Sequence, residues 1–337
     1  MKKIIIGSII GAIIGVAAVA VPRYINEYKK SVAQKTTVYI PLESTYGQML
    51  DSIATAVGDM KSFGKVAQRA SLEEKFKPGR YIFTPDKTNK EIVRILAMGW
   101  ETPMMLTLSG NIRGMEKLSG LLGKKLAADS AAFMEYLCRE DVWKGCGFNK
   151  ENFMGMFLPN TYEVYWTITP EKFVERMKKE YDKFWNTDRT AKAAEIGLTP
   201  QEVSVLASIV CEETNYGPEM PRVAGVYMNR LKRGMKLDAD PTVKFALGDP
   251  SLKRILFKHL KVDSPYNTYK NIGLPPGPIT IPSIKGIEAV LGYEKHNYLY
   301  FCASPSMDGT HRFAGTLVEH NRNAREYQAV LNKMKIR

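Results

Sequence analysis

The chain has 337 residues, 45% hydrophobic and 10% aromatic, which is ample for a sizeable core and for two or three domains. A formal net charge of +13 suits nucleic acid, an anionic membrane face or a carboxylate-bearing polymer. Composition does not choose among these three, but the first residues do, and they argue against nucleic acid.

Lys2 and Lys3 precede an uncharged run over residues 4–21, IIIGSIIGAIIGVAAVAV. As a helix rising ~1.5 Å per residue this run spans roughly 27 Å, close to a hydrocarbon core. The expectation is an uncleaved transmembrane anchor over residues 1–21, with Lys2 and Lys3 inside and the rest of the chain outside the cytoplasm. Ala18-Val19-Ala20 follows a small-x-small pattern, so a cleavable signal peptide is the rival reading. Against it, the run exceeds the ~7–15 apolar residues of a typical signal-peptide core. An exported chain leaves no role for nucleic acid, and the basic surface is assigned to lipid headgroups and polymer carboxylates.

Residues 22–36 are polar and basic and read as a tether. Residues 37–105 read as a small α+β module: a strand beginning at Thr37, a helix over 46–57, a Lys/Gly segment, and a strand at Tyr81-Ile82-Phe83 after the Pro78-Gly79 turn. Thr88 with Glu91 three residues on forms a capping box for a second helix carrying Ile92, Val93, Ile95 and Leu96. Residues 106–195 are mostly helical in pattern, with helices expected over 115–126, 130–137 and 170–185. The aromatic-rich stretch 153–166 is read as core packing. Cys138, Cys146, Cys211 and Cys302 form no C-x-x-C pair and have no zinc spacing. A Cys138–Cys146 disulfide suits an oxidising compartment, and free thiols are the default.

The chemistry falls in residues 196–337, expected to be a mixed α/β catalytic domain. Thr199, Pro200 and Glu202 make a compact helix start. At ~100° per residue Val203, Leu206, Ile209 and Val210 gather on one side, and Glu213 falls within that stripe. Glu212 lies toward its edge, nearer solvent. A carboxylate in an apolar setting is either paired, here with Arg222 or Arg230, or has a raised pKa. A raised pKa is what a general acid needs near neutrality. A second helix over 221–231 can turn Val223, Val226 and Tyr227 toward the first. Loops follow at 237–243 (LDADPTV), 264–269 (SPYNTY), 273–279 (GLPPGPI), 298–301 (YLYF), 309–313 (GTHRF) and 319–321 (EHN). In them Tyr266 and Tyr269 could stack on sugar faces while Asn267 hydrogen-bonds hydroxyl or N-acetyl groups. Plain turn chemistry is the competing reading. The four histidines are scattered, and no metal or cofactor is expected.

Taken in order, LASIV-x-x-ET, V-x-x-NRL, DPTV, SPYNTY, GLPPGPI, YLYF and EHN resemble the endolytic murein transglycosylases of the MltG or YceG-like family. The resemblance covers most of the chain, including the anchor and a LysM-like module ending in the KPGRY turn. It implies that Glu213 is the catalytic residue. On the same motifs, substrate binding is expected at Asn229, Asp240, Thr242, Tyr266, Asn267, Tyr269, Glu319 and Asn321. The implied reaction breaks the MurNAc–GlcNAc β-1,4 bond of nascent peptidoglycan without water and leaves 1,6-anhydro-MurNAc ends. Penicillin-binding synthases are the implied neighbours. Cys211 stands where many members carry a second glutamate, Asn160 replaces an aspartate, and Ile281-Pro282-Ser283 departs from the commoner NPG. Two alternatives remain: a hydrolase using Asp238, Asp240 or Glu319 as a second carboxylate, and a non-catalytic glycan-binding scaffold.

Overall fold

The computed structural model describes residues 2–110, 112–249, 252 and 255–334. The fold is mixed α+β with an N-terminal apolar helix, and it divides into two units: Met1–Leu106 with Lys125–Ala128 and Glu163–Thr169, and the remainder.

The first unit begins with α1 (Lys2–Tyr28). Its segment Ile9–Tyr28 is 20 residues long, has a mean hydropathy of 1.7, and is long and apolar enough to cross a membrane. The helix does not stop where the tether was expected, but runs through Pro22 to Tyr28. Its last turn is held by the rest of the unit: Ser62 Oγ donates to Asn26 Oδ1 (2.7 Å), Asn89 Nδ2 donates to the Asn26 carbonyl (3.0 Å), and Lys90 pairs with Glu27 (3.2 Å). Those contacts offset the backbone bond a helix loses at an internal proline.

β1 (Thr36–Ile40) is followed by α2 (Tyr46–Ala54), α3 (Met60–Arg69), the single turn α4 (Leu72–Lys75), β2 (Gly79–Phe83) and α5 (Asn89–Met98). β1 and β2 are antiparallel, with Val38 opposite Tyr81. The period-2 alternation of a strand turns Val38, Ile40, Tyr81 and Phe83 inward, and all four are buried. Met49, Ile53, Phe63, Val66, Ile92 and Leu96 of the helices close the core. The Thr88–Glu91 capping box forms, and so does one at Thr45 and Gln48. The Lys/Gly segment is helical, a departure from the sequence reading. Asp59 caps α3 by accepting from the Ser62 amide, and Phe63, Val66 and Ala67 lie buried on one face. Gly64 and two lysines mask that i, i+3, i+4 pattern. β3 (Met104–Leu108) then leads into the second unit.

There the chain forms α6 (Met115–Lys125), α7 (Ser130–Leu137), α8 (Glu140–Gly145), β4 (Asn160–Val164), α9 (Pro170–Phe184), α10 (Thr187–Glu195), α11 (Pro200–Glu213), α12 (Met220–Lys232), α13 (Asp240–Leu247), α14 (Ile284–Leu291), the antiparallel pair β5 (Tyr300–Ala303) and β6 (His311–Ala314), and α15 (Leu317–Lys333). The first part of the aromatic stretch after α8 is core, with Phe153, Met156 and Phe157 buried and Phe157 stacked on Phe173 of α9, whereas Tyr165 near its end is exposed. The four cysteines are separate thiols. α11 is the centre of this unit and packs against α10, α12, α13 and α14.

Candidate active site

α11 starts as its sequence dictates. Thr199 accepts from the Glu202 amide, the Glu202 carboxylate reaches back to the Thr199 amide, and Pro200 occupies the first turn, where its missing N–H costs nothing. Beyond that the helix differs from the expected amphipathic one. Every residue from Val203 to Cys211 is buried, Ser204 and Ser208 included. A helix covered on all sides has no single apolar stripe. Helical phase therefore does not separate Glu213 from Glu212; both are partly buried at the last turn.

Their neighbours separate them. Glu212, expected nearer solvent, is ion-paired with Arg113. Glu213 pairs with neither arginine considered for it. Arg222 holds Glu294, and Arg230 is turned to other acceptors. Glu213 instead accepts a 2.6 Å hydrogen bond from the Tyr227 hydroxyl of α12. Burial lifts the Glu213 carboxyl from 4.5 to about 7, with smaller upward pushes from the Asp240 and Glu212 charges. The Tyr227 hydroxyl and Arg230 act in the opposite sense. A carboxyl poised there holds a proton in about half of the molecules at neutral pH, the condition for giving and retaking it. Tyr227 is itself buried and its own pKa lies far above the usual phenol value, so it donates throughout the physiological range.

α12 reaches this place through Gly225, where a Cβ would lie 2.4 Å from the Glu294 carbonyl oxygen. Only glycine permits that approach. One turn farther, Arg230 is buried and acts as a bracket. Its Nε donates to the Leu299 carbonyl (2.6 Å), and its Nη1 to the carbonyls of Lys236 and Leu237 and to Asp238 Oδ2 (3.0 Å). These bonds tie the start of β5 and the loop before α13 to α12. Asp238 sits in the left-handed region at φ 47°, a conformation Asp tolerates better than most residues, and the Arg230 bond holds it there. The turn delivers Asp240, which accepts from the Tyr269 hydroxyl (2.7 Å).

Glu213, Tyr227, Arg230, Asp238, Asp240, Tyr269, Tyr300, Phe301 and His320 line one open cavity of about 390 Å³, in the range of a small-ligand site. Of the residues expected from sequence, the structure brings together Glu213, Asp240 and Tyr269. The others take different work. Asn267 is fully buried; its amide donates to the carbonyls of Leu260 (2.9 Å) and Val262 (2.8 Å), and its oxygen accepts from the Tyr269 amide. Asn267 therefore shapes the loop that presents Tyr269, and has no amide proton left for a sugar. Thr242 is also fully buried, bonded to Thr268 (2.8 Å) and the Ala239 carbonyl. Asn229 donates to the carbonyls of His296 (2.7 Å) and Tyr298 (3.0 Å). Tyr266 packs on Phe245 at 4.7 Å, and burial raises its hydroxyl to about 12. Glu319 folds back onto the Gly315 amide (3.1 Å) at the start of α15, and Asn321 is exposed on that helix. Buried amides and hydroxyls in rigid loops are needed to satisfy loop carbonyls before they are available to a ligand.

Sequence reasoning missed Arg230, Tyr300, Phe301 and His320 as cavity residues. The only sequence signal for His320 is its place inside the EHN motif, between two residues that were singled out. Among the described residues no group of three or more His, Cys, Asp or Glu could hold a metal ion.

Residues 38–326 match the sequence model of the YceG-like family. The chain is 34% identical over 211 residues to the endolytic murein transglycosylase of Bacillus subtilis, an alignment covering 61% of this chain and 58% of that protein. It is 32% identical over 181 residues to the endolytic murein transglycosylase of Streptococcus pneumoniae D39, covering 51% of this chain and 32% of the relative. The alignments thus span less than two thirds of either curated relative. The fold also resembles the crystal structure of a YceG-like protein from Listeria monocytogenes, with a TM-score of 0.58 and 27% identity over 86% of this chain and 98% of that one. Since the family model spans most of the sequence, including every residue that lines the cavity, the chain belongs to the YceG-like family.

Proposed function

We propose that this chain is a membrane-anchored lytic transglycosylase that cleaves the MurNAc–GlcNAc β-1,4 bond of nascent peptidoglycan, with Glu213 as its acid and base. The observation that carries the reading is the Glu213 carboxyl in an open cavity, bonded to Tyr227 and raised to about 7 by burial, while the cavity's other two carboxylates are held by Arg230 (Asp238) and Tyr269 (Asp240). Protonated Glu213 gives its proton to the glycosidic oxygen as the C1–O bond breaks, and GlcNAc leaves as an alcohol. The resulting carboxylate then takes the proton of the C6 hydroxyl of the same MurNAc while that oxygen bonds to C1. The product is a 1,6-anhydro ring and Glu213 regains its proton, so atoms and charge balance. The nucleophile is intramolecular, and its closeness replaces the second carboxylate of ordinary glycosidases.

Asp240 lines the same cavity, which gives the hydrolase alternative its footing. Its bond to Tyr269 favours a positioning role over activation of water. The names borne by the Bacillus and Streptococcus relatives support the transglycosylase reading. We assign α1 as the anchor, with the chain beyond it on the extracytoplasmic side, and the compact module packed on its last turn as a LysM-like glycan-binding element. The mostly helical stretch 106–195 and the catalytic region 196–337 follow it along the chain. An anchored enzyme with a glycan-binding module acts on strands near the membrane and helps terminate them, beside penicillin-binding synthases. Mass spectrometry of peptidoglycan digested by wild type and by Glu213→Gln is the test. Anhydro ends made by wild type and absent with the variant are expected. Reducing ends would replace the transglycosylase by a hydrolase, and unchanged cleavage by the variant would remove Glu213 from the chemistry.

A further inference from the structure

Three of the four histidines are committed to the fold by their ring nitrogens. His259 Nδ1 accepts from the Leu256 amide (3.1 Å). His296 accepts from the Tyr298 amide at Nδ1 (3.1 Å), and its Nε2 meets the Arg222 carbonyl at 2.9 Å. His311 lies 2.7 Å from the buried Glu219 carboxylate. His320 differs on both counts. It lines the Glu213 cavity, and its Nδ1 is closed off from solvent with no hydrogen-bond partner among the described residues. A buried polar atom left unpaired is destabilising, and native folds keep few of them.

The rest of the environment fixes what the ring can do. α15 begins at Thr316, which caps it, and Glu319 turns back to the Gly315 amide. That phase leaves His320 facing β5, where its ring stacks on Tyr300 at 5.4 Å with planes 27° apart. The Arg230 guanidinium lies over the same Tyr300 at 5.1 Å. Burial, and then the Arg230 charge, hold His320 below the usual imidazole range. The ring is therefore uncharged at neutral pH, with one nitrogen donating and the other accepting. With Nδ1 closed off, the other ring nitrogen is the one that can meet a hydroxyl or an N-acetyl group, donating or accepting according to the tautomer. It does not complement an anion, which would call for a positive charge.

We propose that His320 is a substrate-binding residue of this cavity, exchanging a hydrogen bond with a hydroxyl or N-acetyl group of the sugar bound beside Glu213. The inference rests on the glycan-cleaving reading given above, and its test separates the two. His320→Phe keeps a flat ring against Tyr300 and removes both nitrogens. His320→Asn places an amide near the position of Nδ1, and His320→Gln near that of Nε2. Each is made in the full-length, detergent-solubilised protein and assayed on purified glycan strands. Binding of a GlcNAc–MurNAc tetrasaccharide is measured by calorimetry in the Glu213→Gln background, where no turnover interferes.

The expected result is about tenfold weaker tetrasaccharide binding with His320→Phe, a matching rise in KM with little change in kcat, and recovery by at least one of the two amide variants. Unfolding midpoints identify any variant that loses its fold, and the amide variants then decide. His320→Phe binding and cleaving within about twofold of its parent overturns the proposal, because the nitrogens then do nothing for substrate. Loss that neither amide repairs, in folded protein, also overturns it in favour of a purely structural ring. A wild-type protein that neither cleaves strands nor binds the tetrasaccharide overturns the glycan reading itself, and this inference with it.

Discussion

Glu213→Gln should separate the activity of the site from its cost to the fold. The glutamine keeps an oxygen for the Tyr227 hydroxyl and removes the titration. In wild type the Glu213 carboxyl ionises at about 7 when folded, against 4.5 for the free side chain. That difference corresponds to about 3 kcal/mol at ~1.4 kcal/mol per pH unit. The sign follows from proton counting. Below pH 4.5 both states hold the proton, and Glu213 makes no pH-dependent contribution. Between 4.5 and 7 the unfolded chain releases it while the folded one keeps it, so stability falls as pH rises. Above 7 both are ionised and the whole penalty stands. Glu213→Gln should therefore gain about 3 kcal/mol relative to wild type between about pH 4 and pH 8, while losing cleavage. Chemical unfolding of both proteins at the two pH values, followed by tryptophan fluorescence, gives the difference. A gap between variant and wild type that stays the same at both pH values would refute the claim that burial holds this carboxyl protonated.

Tyr227→Phe removes the hydrogen bond that favours the ionised carboxylate, so the alkaline limb of the kcat–pH profile should move up by about one pH unit. A limb that stays put or moves down contradicts that role. Asp240→Asn removes a negative charge that raises the Glu213 pKa, and the same limb should move down. The products should keep their anhydro ends, and water-derived reducing ends in wild type that vanish with this variant would make Asp240 the second carboxylate. Gly225→Ala pushes a methyl to 2.4 Å from the Glu294 carbonyl oxygen, so α12 must shift. A loss of about 1–3 kcal/mol is expected in unfolding experiments, and a variant as stable as wild type would mean that this contact is slack.

What the sequence determined by itself is largely local. The capping boxes at Thr88 and Thr199 follow from neighbours three residues apart and the apolar length of α1 from one uninterrupted run, and these are present in the fold; the turn expected at Pro78-Gly79 is not, because Gly79 is already the first residue of β2. Glu213 was also singled out from sequence, by the family motif and by a helical-phase argument, and a helix buried on every side does not support the second of these. Tertiary structure supplies a physical reason, a hydroxyl fourteen residues away on α12 and burial that raises the carboxyl to about 7 while it still lines an open cavity. The loop motifs divide the same way. SPYNTY reads as one polar, aromatic surface, yet Asn267 spends its amide on the Leu260 and Val262 carbonyls while Tyr269 reaches Asp240. In EHN the two residues singled out from sequence lie outside the cavity lining, and the one between them forms part of it. A sequence shows which groups can donate and accept. Only the packed chain decides which of them buried carbonyls claim first, and which are left facing the cavity.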